Sequence, residues 1–82
     1  MVTVCYSHNF AAILKKMKDI ALKERVTKQI AKLLDTPEVG KPMRHARKRT
    51  RELYIPPFRL SYVYLKQEEK VVLLDIYHKD RQ

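Results

Sequence analysis

With 82 residues the chain has room for one domain, residues 1–82, and for no second core. A single cysteine, Cys5, excludes an internal disulfide, and His8, His45 and His78 stand too far apart for zinc-ligand spacing. The net charge of +9, with a pI near 9.9, points to a polyanionic partner: nucleic acid, an anionic membrane surface or an acidic protein.

The amino-terminal MVTVCYSHNF lacks the basic and long apolar regions of a signal peptide. The longest apolar run, Val71–Leu74, is far too short to cross a bilayer. A soluble, cytosolic chain is therefore expected, with the free thiol of Cys5 in the core. A domain of this size holds a margin of about 5 kcal/mol, which a bound partner protein would supplement.

In chain order, Val2, Val4 and Tyr6 alternate with Thr3 and Cys5, the period of a short strand. Ser7 or Asn9 caps a helix in which Ile13, Leu14 and Met17 share one face. Asp19 is the expected cap of a second helix, with Leu22, Val26, Ile30, Leu33 and Leu34 inward and most of the lysines outward. Thr36-Pro37 ends it, because proline forces the preceding residue out of the helical region. Residues 37–42 then read as a loop. Leu53 and Ile55 alternate with Glu52 and Tyr54; Pro56-Pro57 makes a turn; Phe58, Leu60, Tyr62 and Tyr64 alternate with Arg59, Ser61 and Val63. Gln67-Glu68-Glu69 is a polar hairpin tip, and Val71–Tyr77 is apolar on both faces, as in an interior strand. The fold class is α+β, in the order β-α-α-β-β-β, a small antiparallel sheet packed on an amino-terminal helical hairpin.

Strand parity selects the candidate chemistry. If Leu53, Ile55, Phe58, Leu60 and Tyr62 face the helices, then Glu52, Tyr54 and Arg59 share the other face. An acid, a phenol and a guanidinium would then lie together. The side taken by His78 stays open, since its strand is apolar on both faces. RNA cleavage needs a base for the 2′-OH, a cation for the charged phosphorane and an acid for the departing 5′-oxygen. Arginine suits the second task, and histidine the first or third. No metal or small-molecule cofactor is required, and one glycine, Gly40, excludes a Walker-type phosphate loop. The segment Lys41–Arg51 carries Lys41, Arg44, Arg47, Lys48, Arg49 and Arg51 without an acid, which favours polyanion binding over a merely solvated face. Tyr54, Tyr62, Tyr64 and Tyr77 offer rings for base stacking, although parity assigns Tyr62 and Tyr64 to the core.

The stretches Gly40–Arg44 (GKPMR), Arg51–Ile55 (RELYI), Phe58–Tyr62 (FRLSY) and Val71–His78 (VVLLDIYH), preceded by a helical hairpin, resemble the RelE/ParE toxin superfamily in order, spacing and length. The resemblance implies a toxin of a type II toxin–antitoxin system. It implies a metal-independent, ribosome-dependent mRNA endonuclease that inhibits translation. By position, Arg59 would stabilise the transition state, and His78 would stand where YoeB- and YafQ-like members carry a histidine acid. Tyr54 occupies a slot that is basic in relatives, and Glu52 is a candidate base. Lys48, Arg49 and Arg51, with Arg44, Arg47 and Lys79, would hold RNA. The expected partners are the ribosome, mRNA and a cognate antitoxin, acidic to match this chain's charge, and no membrane. Two alternatives stay open: a ParE-like inhibitor of DNA gyrase, and a basic nucleic-acid-binding module without catalysis.

Overall fold

The computed structural model describes residues 2–42, 49–78 and 80. The elements are β1 (Thr3–Tyr6), α1 (His8–Lys16), α2 (Ile20–Asp35), β2 (Lys41–Pro42), β3 (Thr50–Ile55), β4 (Phe58–Leu65) and β5 (Lys70–His78). All five strands form one sheet, in the order β1-β5-β4-β3-β2. The α+β class and the element order follow the sequence reading, with two additions. The sheet is mixed, because β1 runs parallel to β5 while the other pairs are antiparallel. A parallel pair needs a long crossover, and the two helices begin that return. Lys41 and Pro42, read as loop, form a two-residue edge strand on β3; two residues carry no legible period.

Local chemistry places the helices. The Ser7 hydroxyl accepts from the Phe10 N–H at 3.0 Å and so caps α1. Asp19 Oδ1 accepts from the Leu22 N–H at 3.1 Å and caps α2. Met17, in extended backbone, divides the helices without glycine or proline. α2 buries Leu22, Val26 and Leu33 on one stripe, and α1 buries Phe10. These meet Leu53, Ile55, Leu60, Tyr62, Val71, Leu73 and Ile76 from the sheet. Cys5 is only half-buried, since its strand is an edge.

The pairing of β4 with β5 contains a bulge. Tyr62 lies opposite Leu73 but Ser61 lies opposite Asp75, which leaves Leu74 as the extra residue. Before the bulge Val71 and Leu73 face the core; after it Ile76 does. An unbroken alternation would have sent Asp75 inward. Ser7 braces the bulge: its hydroxyl donates to the Leu74 carbonyl at 2.9 Å and its N–H to the Leu73 carbonyl at 2.9 Å.

Tyr62 performs a second structural task. Its hydroxyl donates to the Pro37 carbonyl and accepts from the Gly40 N–H, both at 2.8 Å. Gly40 permits this approach, because a β-carbon there would lie 2.6 Å from the Tyr62 hydroxyl. Arg51 adds hydrogen bonds to the carbonyls of Glu38 (3.0 Å) and Gly40 (2.9 Å) and an ion pair with the Glu38 carboxylate. The clasp holds the α2–β2 loop and seats β2. Burial raises the Tyr62 phenol above its ordinary value. The stability linked to that proton is therefore complete below about pH 10 and is lost as pH rises through the folded-state value. Tyr62→Phe is expected to cost about 1–3 kcal/mol by urea unfolding, because the buried Gly40 N–H loses its acceptor. The variant should also lose the wild type's extra destabilisation above pH 10.

Candidate functional site

Directly opposed residues on antiparallel strands project from the same face. Tyr54 opposes Arg59, and Arg59 opposes Tyr77. These three form one row across β3, β4 and β5, on the face turned away from the helices. Beside it runs a second row in which Lys41, Glu52, Ser61 and Asp75 are in register across four strands.

Within this patch Arg59 Nη1 lies 3.3 Å from Glu52 Oε1 and donates to it. The Glu52 side chain is only 9 % exposed, and its second oxygen, Oε2, is buried without a hydrogen-bond partner among the described residues. The guanidinium itself is 35 % exposed, and Tyr54 is 52 % exposed. One face of the arginine is thus held by a buried carboxylate while the rest meets solvent. A carboxylate oxygen taken from water and given no donor is costly.

The expected residues are only partly united. Glu52, Tyr54 and Arg59 come together. His78 does not join them, because it lies opposite Phe58 on the helix side of the sheet. Its ring meets Phe58 edge-on at 5.6 Å, and its Nδ1 accepts from the Asp80 N–H at 3.3 Å. The neighbouring Tyr77 takes the place beside Arg59. The Leu74 bulge, which the sequence did not reveal, makes this exchange. Arg51 is also on the helix face, opposite Tyr62, and is committed to the loop clasp. Arg49 is exposed and, with Glu38, Pro42, Tyr64 and Lys66, lines a groove at the other end of β4. That end is roughly 13 Å along the strand from Arg59 at the usual rise per residue. Arg44, Arg47, Lys48 and Lys79 lie outside the described residues. Among the described residues no three His, Cys, Asp or Glu side chains could hold a metal ion together. Among the described residues no helix is long and apolar enough to cross a membrane.

A family model described as the ParE toxin of type II toxin–antitoxin systems, parDE, matches residues 4–82. The chain belongs to the RelE/ParE toxin family. Solved structures share its fold. The intact Escherichia coli RelBE complex is similar with a TM-score of 0.83 and 12% identity, over 99% of this chain and 100% of that one. The RelBE2 toxin–antitoxin complex of Mycobacterium tuberculosis gives 0.81 and 26% identity, over 95% and 98%. The isolated E. coli RelE toxin gives 0.81 and 14% identity, over 100% and 88%. A search of curated proteins finds no match. The protein is therefore a toxin of a toxin–antitoxin system.

The ion pair makes a stability prediction. Arg59→Ala strands the buried Glu52 carboxylate and is expected to cost about 1–3 kcal/mol. Adding Glu52→Gln should recover most of that loss, as read by thermal and urea unfolding of both single variants and the double variant. Additive losses would mean that the two side chains do not support each other.

Proposed function

We propose that this toxin is a metal-independent endoribonuclease that cuts mRNA on the ribosome and so stops translation. One observation carries the reading. A partly exposed arginine is fixed beside a buried carboxylate that has one oxygen without a partner among the described residues. A phosphate approaching Arg59 would meet a rigid fork of N–H donors. With the Glu52 carboxylate turned out of its buried position, the 2′-OH next to that phosphate would donate to it. Glu52 then takes the proton as the 2′-oxygen attacks phosphorus, and Arg59 stabilises the added charge. The bond to the 5′-oxygen breaks, leaving a cyclic phosphate and a 5′-hydroxyl whose proton comes from water. No imidazole among the described residues lies on this face.

A partly exposed strip on a sheet positions one phosphate but does not force the 2′-oxygen into line. Alignment of that kind supplies a large share of a catalytic barrier, and a ribosome holding the mRNA would provide it. The E. coli and M. tuberculosis relatives were solved as complexes with antitoxins. We infer a cognate antitoxin here too, acidic because the toxin carries +9.

Inhibition of DNA gyrase is the second reading. It is favoured by the ParE description of the matching model and by the placement of His78 away from Arg59. Primer extension on a defined mRNA in a purified translation system separates the two. Wild type should cut at A-site codons, and Arg59→Ala should lose about 100-fold or more. His78→Ala should stay within a few-fold of wild type. Intact mRNA, with blocked supercoiling by purified gyrase, would establish the second reading instead.

A further inference from the structure

We propose that Arg25 of α2 is a positioning residue for Arg59, acting through the β3–β4 turn. Its consequence for cleavage rests on the nuclease reading above. Arg25 Nη2 donates to the Pro56 carbonyl, a contact between residues 31 apart in the chain. The helix places it there. Arg25 comes three residues after Leu22 and one before Val26, both buried, so its side chain leaves α2 at the border of the packed stripe. The turn needs a donor from outside. Ile55 and Phe58 close the hairpin, and the two prolines between them have no N–H to offer. Their carbonyls are the backbone handles by which the turn can be held.

Arg59 is the residue that gains from this tether. It follows Phe58 and stands in the second pair from the turn, opposite Tyr54. The two sides of the hairpin end are held unequally. Ile55, which ends β3, is 2 % exposed. Phe58, which begins β4, is only half-buried and borders a cavity of about 270 Å³ shared with Ile13, Met17, Leu22 and Ile76. Apolar packing therefore fixes the end of β3 better than the start of β4. The contact of Arg59 with Glu52, at 3.3 Å, is long for a hydrogen bond and adds only a loose restraint. The Arg25 bond restrains the same strand from the other side of the turn. Misplacing a group that meets the phosphate by about 1 Å can cost about 100-fold in rate. Both partners of the bond are exposed, so it contributes little to global stability. Positioning and stability are thus separable at Arg25.

The test has two arms, each comparing the purified full chain with Arg25→Ala, Arg25→Lys and Lys28→Ala. Lys28 is an exposed cation on the same helix, and its loss removes the same charge. The first arm is NMR of the Arg59 Nε–H signal, identified by its absence from Arg59→Lys. Arg25→Ala should shift that signal and raise its mobility. Arg25→Lys, which keeps a donor of similar reach, and Lys28→Ala should leave it as in wild type. The second arm is single-turnover cleavage of mRNA on ribosomes at saturating toxin. Arg25→Ala should be slower by about tenfold with its half-saturating concentration unchanged, and Arg25→Lys should recover most of the rate. Thermal midpoints of all variants should stay within a few degrees of wild type. An unmoved Arg59 signal in Arg25→Ala would overturn the proposal. Equal losses in Arg25→Ala and Lys28→Ala would do the same, as would a moved signal with undiminished cleavage. Wild type that leaves the mRNA intact removes the nuclease reading, and the Arg59 signal alone then upholds or overturns the tether.

Discussion

The extra residue at Leu74 governs the layout of the molecule. A strand alternates strictly, so one inserted position exchanges its two faces for every residue that follows. Up to Leu73 the alternation sends Val71 and Leu73 into the core; beyond Leu74 it sends Ile76 there and turns Asp75 and Tyr77 outward. Both sides of the exchange are favourable. An aspartate leaves the apolar interior, an isoleucine enters it, and a tyrosine arrives beside Arg59. Ser7 holds the irregular backbone through the Leu73 and Leu74 carbonyls while its hydroxyl also caps α1. One small residue thus couples the start of a helix to the geometry of a distant strand.

The two polar anchors of the sheet differ in cost. Around Tyr62 each buried polar group has a partner: the hydroxyl is used as donor and acceptor, and Gly40 leaves space for it. That arrangement rigidifies the loop leading to β2. Around Arg59 the accounting is incomplete, because one Glu52 oxygen has no hydrogen-bond partner among the described residues. Folds tolerate such a group where it serves a purpose other than stability. The contrast separates a fully paired polar cluster from an incompletely paired one within the same sheet.

Much of this was legible in the sequence. The caps Ser7 and Asp19, the stop at Thr36-Pro37, the turn at Pro56-Pro57 and the inward set Leu53, Ile55, Leu60 and Tyr62 each follow from local chemistry or a two-residue period. Glu52, Tyr54 and Arg59 were grouped by the same parity. His78 was not resolvable, because an apolar strand gives no sign of which face is which and a bulge leaves no mark in composition. Arg51 looked like one more cation in a basic run; its carbonyl partners arise from a loop more than ten residues earlier, which no local pattern reveals. The parallel pairing of β1 was equally hidden, since it depends on where the chain returns and not on the four residues themselves.

That parallel pairing has a kinetic side. Among the described residues β1 pairs only with β5, and the Ser7–Leu74 contact spans 67 residues. Contacts this distant must meet the entropy of closing nearly the whole chain before they return any stability. The meander β3–β4–β5 can assemble from near neighbours, but the brace on the bulge waits for the amino terminus to arrive. Until it does, the bulge lacks the two hydrogen bonds from Ser7. The irregular backbone that turns Tyr77 toward Arg59 therefore gains its full set of hydrogen bonds only when the two ends of the chain have met.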